Sequence, residues 1–348
     1  MTQQNVSQTV GDAQKAKDSL AQISRVDLAL TPTPIQELKR FSAALGGPRI
    51  FIKRDDQTGL AGGGNKTRKL EYLVGDAIEK GADCLITAGA VQSNHCRQTA
   101  AAASKFGMEC HLVFGATSVP ASPEGNYFID HLLGAKFHFT EKIRRNETME
   151  SLANELRGQG KTPYVIPVGG SNHIGAFGYV RAMFEIREQL EAKQLKIDHI
   201  IYATSSGGTQ AGLALGARLS KFKGIVSGIS IDQVPDEDAE FKFKAFVLDI
   251  VQAAEEKLRF THEISLADLL IDYNYLGNGY GIVGETEREA IRLLARTEGI
   301  LVGPVYTGRA LGALIDYIRK GKIGRDETVL FMHTGDDVAL HAYRTELL

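Results

Sequence analysis

The pattern that most limits the fold is a unit that occurs twice: a strand, a loop of small and polar residues, and a helix rich in alanine and glycine. Residues 83–87 read as a buried strand, 88–94 as the loop and 96–106 as the helix. The succession returns with a strand at 199–203, the loop Thr204 to Thr209 and a small-residue helix over 210–220. Further strands are expected at 49–53, 109–114, 136–139, 164–166 and 328–332, with helical periodicity at 125–133, 148–159, 177–193 and 285–298. Strands alternating with helices at this spacing predict right-handed crossovers, hence an α/β fold of two open, twisted, mostly parallel sheets in three-layer α/β/α packing. Ligands then bind beyond the carboxyl ends of the strands.

The breaker-rich stretch Pro167 to Gly175 reads as a domain crossing. The expected division is a polar N-terminal arm (1–22), a large domain of 23–60 and 176–348, and a small domain of 61–175. The charged, mostly helical segment 234–270 reads as scaffold.

Chemistry points to Gly62-Gly-Gly-Asn-Lys-Thr-Arg-Lys-Leu70. Three consecutive glycines admit positive φ and leave no side-chain bulk beside Lys66. Apolar positions at 70, 73, 74, 77 and 78 then follow helical spacing, which puts Lys66, Arg68 and Lys69 in a helix's first turn. Cations oppose the macrodipole there, so the triplet suggests a bound anion, most simply a phosphate. The alternative is a set of solvated surface charges. A nucleotide P-loop fits poorly, because its lysine follows a glycine and here Asn65 intervenes. A lysine beside open backbone also suits Schiff-base chemistry.

Composition excludes other classes. The chain has 348 residues, 43% hydrophobic and 24% charged, with a formal net charge of −2 and no clustered basic face, which argues against nucleic acid as partner and favours small molecules. No apolar run is long enough to span a membrane, and residues 1–22 lack the marks of a signal or transit peptide. Cys84, Cys96 and Cys110 are an odd number without Cys-x-x-Cys spacing, consistent with reduced thiols and a cytoplasmic setting; no metal site is expected. Asp336 and Asp337 read as a solvated pair.

Four loops at expected strand ends complement Lys66: Ala90 to His95 with Ser93 and Asn94, Ser205 to Thr209, a glycine-dense loop displaying Tyr280, and Gly303 to Gly308 with Tyr306 and Thr307. A glycine-rich loop opening a helix binds phosphate through backbone N–H groups, and a lysine amine takes a carbonyl. Pyridoxal 5′-phosphate carries both groups.

The segments Thr31-Pro-Thr-Pro34, Ile52 to Asp56, Gly62 to Leu70, Gln92 to Gln98, Ser206 to Gly212, Gly277 to Gly281 and Pro304 to Gly308 resemble the family of D-cysteine desulfhydrases and 1-aminocyclopropane-1-carboxylate (ACC) deaminases, from about residue 25 onward. The resemblance implies a pyridoxal-phosphate enzyme of tryptophan-synthase-β type (PLP fold type II), usually a homodimer, acting on a small amino acid. It implies that Lys66 is the Schiff-base lysine, with Lys69 and the backbone of Ser206, Gly207, Gly208 and Thr209 at the phosphate. Asn94 would hold the ring hydroxyl, Ser93 would meet the substrate carboxylate or move a proton, and Tyr280 and Tyr306 would face the substrate. His95 joins the expected substrate-binding residues, as an alternative to a capping or core role.

Two positions bear on the reaction. ACC deaminases of this family are similar in carrying glutamate after the second tyrosine and leucine at a later position; here these are Thr307 and Thr334. A threonine at the ring nitrogen sustains a weaker electron sink, sufficient when sulfide leaves from Cβ. The resemblance therefore implies D-cysteine desulfhydrase, with Lys66 taking the Cα proton once burial or the Arg68 and Lys69 charges lower its pKa. L-cysteate sulfo-lyase and ACC deaminase are the enzymatic alternatives. A phosphate-ligand-binding regulatory protein on the same fold is the non-enzymatic one.

Overall fold

The computed structural model describes residues 13–232, 236–260 and 264–348. Residues 13–21 are helical (α1), and Ala16 and Leu20 of this arm are buried in the main core, so its described part is packed rather than loose. The strands are β1 (Ile35–Glu37), β2 (Arg49–Arg54), β3 (Cys84–Gly89), β4 (Glu109–Gly115), β5 (Lys136–Thr140), β6 (Pro163–Val165), β7 (His199–Thr204), β8 (Ile225–Ser230), β9 (Leu270–Asp272) and β10 (Thr328–His333). They form a six-stranded sheet, β1-β2-β10-β7-β8-β9, and a four-stranded sheet, β5-β4-β3-β6. Every pairing is parallel except β1 with β2. Strand β3 is buried along its whole length, as a central parallel strand covered on both faces must be. Strands β8 and β9 lie outside the sequence reading; the first is interrupted by Gly228 and the second is three residues long, too little for a periodic signal.

The helices are α2 (Lys39–Leu45), α3 (Asn65–Glu79), α4 (Asn94–Lys105), α5 (Gly125–Leu132), α6 (Arg145–Gly158), α7 (His173–Ala192), α8 (Gly208–Leu219), α9 (Glu237–Leu258), α10 (Glu285–Glu298), α11 (Thr307–Arg319) and α12 (Arg344–Leu347). Helix α7 starts four residues before the expected 177, because Asn172 caps it through Gly175 N–H at 2.9 Å. Helix α3 carries the glycine–lysine stretch and is buried nearly all round, packed on α7. Gly178 makes that approach possible: a Cβ there would lie 2.4 Å from the Arg68 carbonyl oxygen.

Candidate active site

A cavity opens at the carboxyl ends of β3 and β7, between the two sheets. Lys66, Ser93, Asn94, His95, Ser206, Gly207, Thr209, Tyr280, Tyr306 and Thr334 line it together. Their sequence separation reaches from 66 to 334, so only the fold assembles them. Residues 61 to 64 all have positive φ, as the glycine run predicts, and Ala61 joins them at 44°. Gly63 is irreplaceable for a steric reason: a Cβ there would sit 1.8 Å from the Asp56 carbonyl oxygen. The loop is tied to the end of β10 by Asn65 N–H donating to the Thr334 carbonyl at 2.9 Å.

Lys66 Nζ donates to Asn65 Oδ1 at 3.1 Å, and Asn65 Nδ2 donates to Thr209 Oγ1 at 3.1 Å. Asn65 thus bridges the amine and the Ser206–Thr209 loop, a role that its place as an interruption of a P-loop pattern conceals. Burial draws the Lys66 pKa down to about 8, with Asp336 pulling the other way. Arg68 plays no part in that shift. Its guanidinium turns from the cavity to Asp55 (2.9 Å) and Glu185 (2.9 Å), with Tyr179 and Thr33 completing the Asp55 carboxylate. Of the basic triplet, only Lys66 lines the cavity.

The other end of the cavity is built for an anion. Helix α8 starts at Gly208, and Gly207 before it supplies no side-chain cap. Ser171 Oγ accepts from Gly208 N–H at 3.1 Å and donates to Ser206 Oγ at 2.8 Å. Lys69 is buried with one acceptor, the Gly169 carbonyl at 3.0 Å, and no carboxylate partner among the described residues. A Cβ on Gly208 would lie 3.0 Å from Lys69 Nζ, so glycine here keeps the space between helix end and ammonium open. Burial and then the Lys66 charge push the Lys69 pKa well down, the situation a phosphate dianion reverses. Lys69 and Gly208 are not among the residues that line the cavity, but Lys69 lies behind its Gly207–Thr209 wall, and backbone donors at a helix start with a buried amine behind them and the Lys66 amine in front fit pyridoxal 5′-phosphate.

Ser93 caps α4 by accepting from Cys96 N–H at 3.2 Å, with the Cys96 thiol beside its hydroxyl. His95 is buried, with Nε2 2.8 Å from Thr87 Oγ1, and burial with the Lys66 and Lys69 charges holds it neutral. The Tyr280 and Tyr306 hydroxyls are hydrogen-bonded to each other. Thr307 departs from the sequence expectation. Its hydroxyl donates into the Asp336 carboxylate and the Gly335 carbonyl, it is fully buried, and it does not line the cavity, whereas Thr334 does. It therefore cannot meet a ring nitrogen without breaking that bond. Asp336, expected in solvent, is 1% exposed and also accepts from the backbone N–H groups of Gly303 (3.1 Å), Tyr306 (3.0 Å) and Thr307 (3.2 Å). Phe246 of α9 lines the cavity too, so the 234–270 segment is more than scaffold. Among the described residues no cluster of three or more His, Cys, Asp or Glu could hold a metal, and no helix is long and apolar enough to cross a membrane.

Comparison with known proteins agrees with this geometry. The family of pyridoxal-phosphate-dependent enzymes matches residues 26–335. The crystal structure of an ACC deaminase homologue superposes with a TM-score of 0.86 at 38% identity, covering 96% of this chain and 98% of that one. A hydrogen sulfide-producing enzyme from Fusobacterium nucleatum (TM-score 0.59, 16% identity, 91% and 97% covered) and a pyridoxal 5′-phosphate-dependent aspartate racemase (0.63, 16%, 94% and 95%) share the fold. The chain thus has the tryptophan-synthase-β type of fold and belongs to the pyridoxal-phosphate-dependent enzymes, in the family of the ACC deaminases and D-cysteine desulfhydrases.

Proposed function

We propose that the enzyme eliminates sulfide from D-cysteine, giving pyruvate, hydrogen sulfide and ammonia. The observation that carries this reading is the placement of an amine with a pKa of about 8 and a phenol pair on one cavity. The cofactor, when bound, supplies the electron sink for the pair left at Cα. Lys66, partly neutral near physiological pH, takes the Cα proton. The Cβ–S bond then breaks with its electron pair going to sulfur, and Tyr280 or Tyr306 stands where a proton can pass to the departing thiolate. The aminoacrylate released adds water and loses ammonia to give pyruvate. Ser93, whose hydroxyl lines the cavity, holds the substrate carboxylate.

Two features favour a thiol over a cyclopropane. Residues 307 and 334, which differ from ACC deaminases, bring no carboxylate to the cavity, and Thr334 presents a polar group at its wall.

L-Cysteate is the second reading, and one observation favours it. Lys142 and Arg145 line the cavity, with Lys142 Nζ 5.8 Å from the Tyr280 ring centroid, and neither has a carboxylate partner among the described residues. Such cations suit a sulfonate. Release of the 2-oxo acid, pyruvate from D-cysteine, L-cysteine or L-cysteate and 2-oxobutanoate from ACC, separates the readings. Turnover of D-cysteine above the others is expected; turnover of ACC alone would overturn both.

A further inference from the structure

Asn94 is fixed by its neighbours more tightly than a cavity residue requires for packing. Its Oδ1 accepts from Asn126 Nδ2 at 3.2 Å and from Arg97 Nη2 at 3.4 Å. Asn126 is itself held: Nδ2 also donates to the Gln92 carbonyl at 3.0 Å, Oδ1 accepts from Arg97 Nε at 2.6 Å, and its backbone N–H donates to Gln92 Oε1 at 2.9 Å. Turning either amide over would face donor to donor, so the network allows one orientation of each. With Oδ1 occupied, the Asn94 NH₂ is left toward the cavity that Asn94 lines.

Arg97 is the unusual member. The other fully buried arginines, Arg68 and Arg309, pair with carboxylates at 2.9 Å and 2.6 Å. Arg97 instead donates to neutral groups only: Asn126, Asn94 and the carbonyls of Ala61 and Gly63 in the glycine loop. No carboxylate among the described residues makes an ion pair with it, and Asp337, Asp130 and Asp336 offset its burial only from further away, so an added anion would still complete it.

We propose that Arg97 and Asn126 are positioning residues that aim the Asn94 NH₂ at the ring oxygen of the cofactor and, through the Arg97 charge, hold that oxygen ionised. The inference rests on reading Asn94 as the partner of that oxygen. Burial lowers the Arg97 pKa to about 10, with Asp337, Asp130 and Asp336 opposing the shift, so the group is still a cation at neutral pH. Because Arg97 also grips Ala61 and Gly63, it couples the Asn94 amide to the loop that carries Lys66.

Asn126→Asp tests the proposal, since aspartate keeps an acceptor for Arg97 Nε and removes the donor to Asn94 Oδ1. The purified holoenzyme's visible cofactor band is recorded against pH, without any amino acid substrate. Asn126→Asp should shift the band toward the neutral-oxygen form at neutral pH and weaken cofactor retention by about tenfold. Asn94→Ala should do the same, and the double variant should add nothing further. Arg97→Gln, which removes both the charge and the three-way reach, gives the same readout should Asn126→Asp fail to fold. A folded Asn126→Asp enzyme with the wild-type band and titration, or fully additive effects, overturns the proposal. Pyruvate formation by the wild type judges the substrate reading separately.

Discussion

The phenol oxygens of Tyr280 and Tyr306 lie 2.7 Å apart, with ring centroids 6.1 Å apart and the rings edge to face. One proton is thus shared between residues from two loops, and burial raises both groups, Tyr280 to about 12 and Tyr306 well above its ordinary value. Phenols held protonated in this way are donors. Tyr280→Phe and Tyr306→Phe should each lower kcat by about a hundredfold or more while cofactor absorbance stays at the wild-type level. Steady-state kinetics with D-cysteine and a spectrum of the resting enzyme check this.

Capture of pyridoxal phosphate by cofactor-free protein should depend on the neutral Lys66 amine. The capture rate is expected to rise about tenfold per pH unit below pH 8 and to level off above it. Asp336 pulls that pKa upward, so Asp336→Asn should move the midpoint to lower pH. Stopped-flow absorbance across pH 6 to 9 measures both.

Arg68 is expected to matter for stability and not for the amine. Arg68→Met leaves Asp55, which is fully buried, without its cation and should cost about 3–5 kcal/mol in denaturant unfolding. Burial alone would raise the Asp55 pKa, yet Arg68 and Lys53 hold it below the usual carboxylate range. Its contribution is therefore present above the unfolded-state pKa and is lost as pH falls through the depressed folded value. The Lys66 capture midpoint should stay in place in any Arg68 variant that folds.

Thr307→Val separates two roles for that hydroxyl. Removing the bond to the Asp336 carboxylate should destabilise the fold by about 1–3 kcal/mol, with the visible cofactor band unchanged. A shift in the band would mean that residue 307 reaches the ring after all.

The βα alternation and the glycine-opened lysine helix were legible in the chain because each is a local property: a period, a run of flexible residues, a cap. Lys66, Ser93, Tyr280 and Tyr306 were legible through resemblance and do line one cavity. What sequence could not supply was direction. Arg68 and Lys69 are adjacent on one helix turn, yet one faces Asp55 and the other Gly169. Asp336 and Asp337 look alike as letters, and only the first is buried as an acceptor for three backbone donors. Asn126 supports Asn94 across about thirty residues of sequence that no periodicity spans, and Gln92 in turn holds Asn126.

Strand β10, at residues 328 to 333, lies between β2 and β7 in the middle of the larger sheet, and its exit residue Thr334 holds Asn65. During synthesis from the N-terminus, the lysine helix is therefore made some 260 residues before the strand that anchors it, and the sheet's centre is the last gap to be filled. Thr334, which lines the cavity and holds Asn65, is the last of the lining residues to be made.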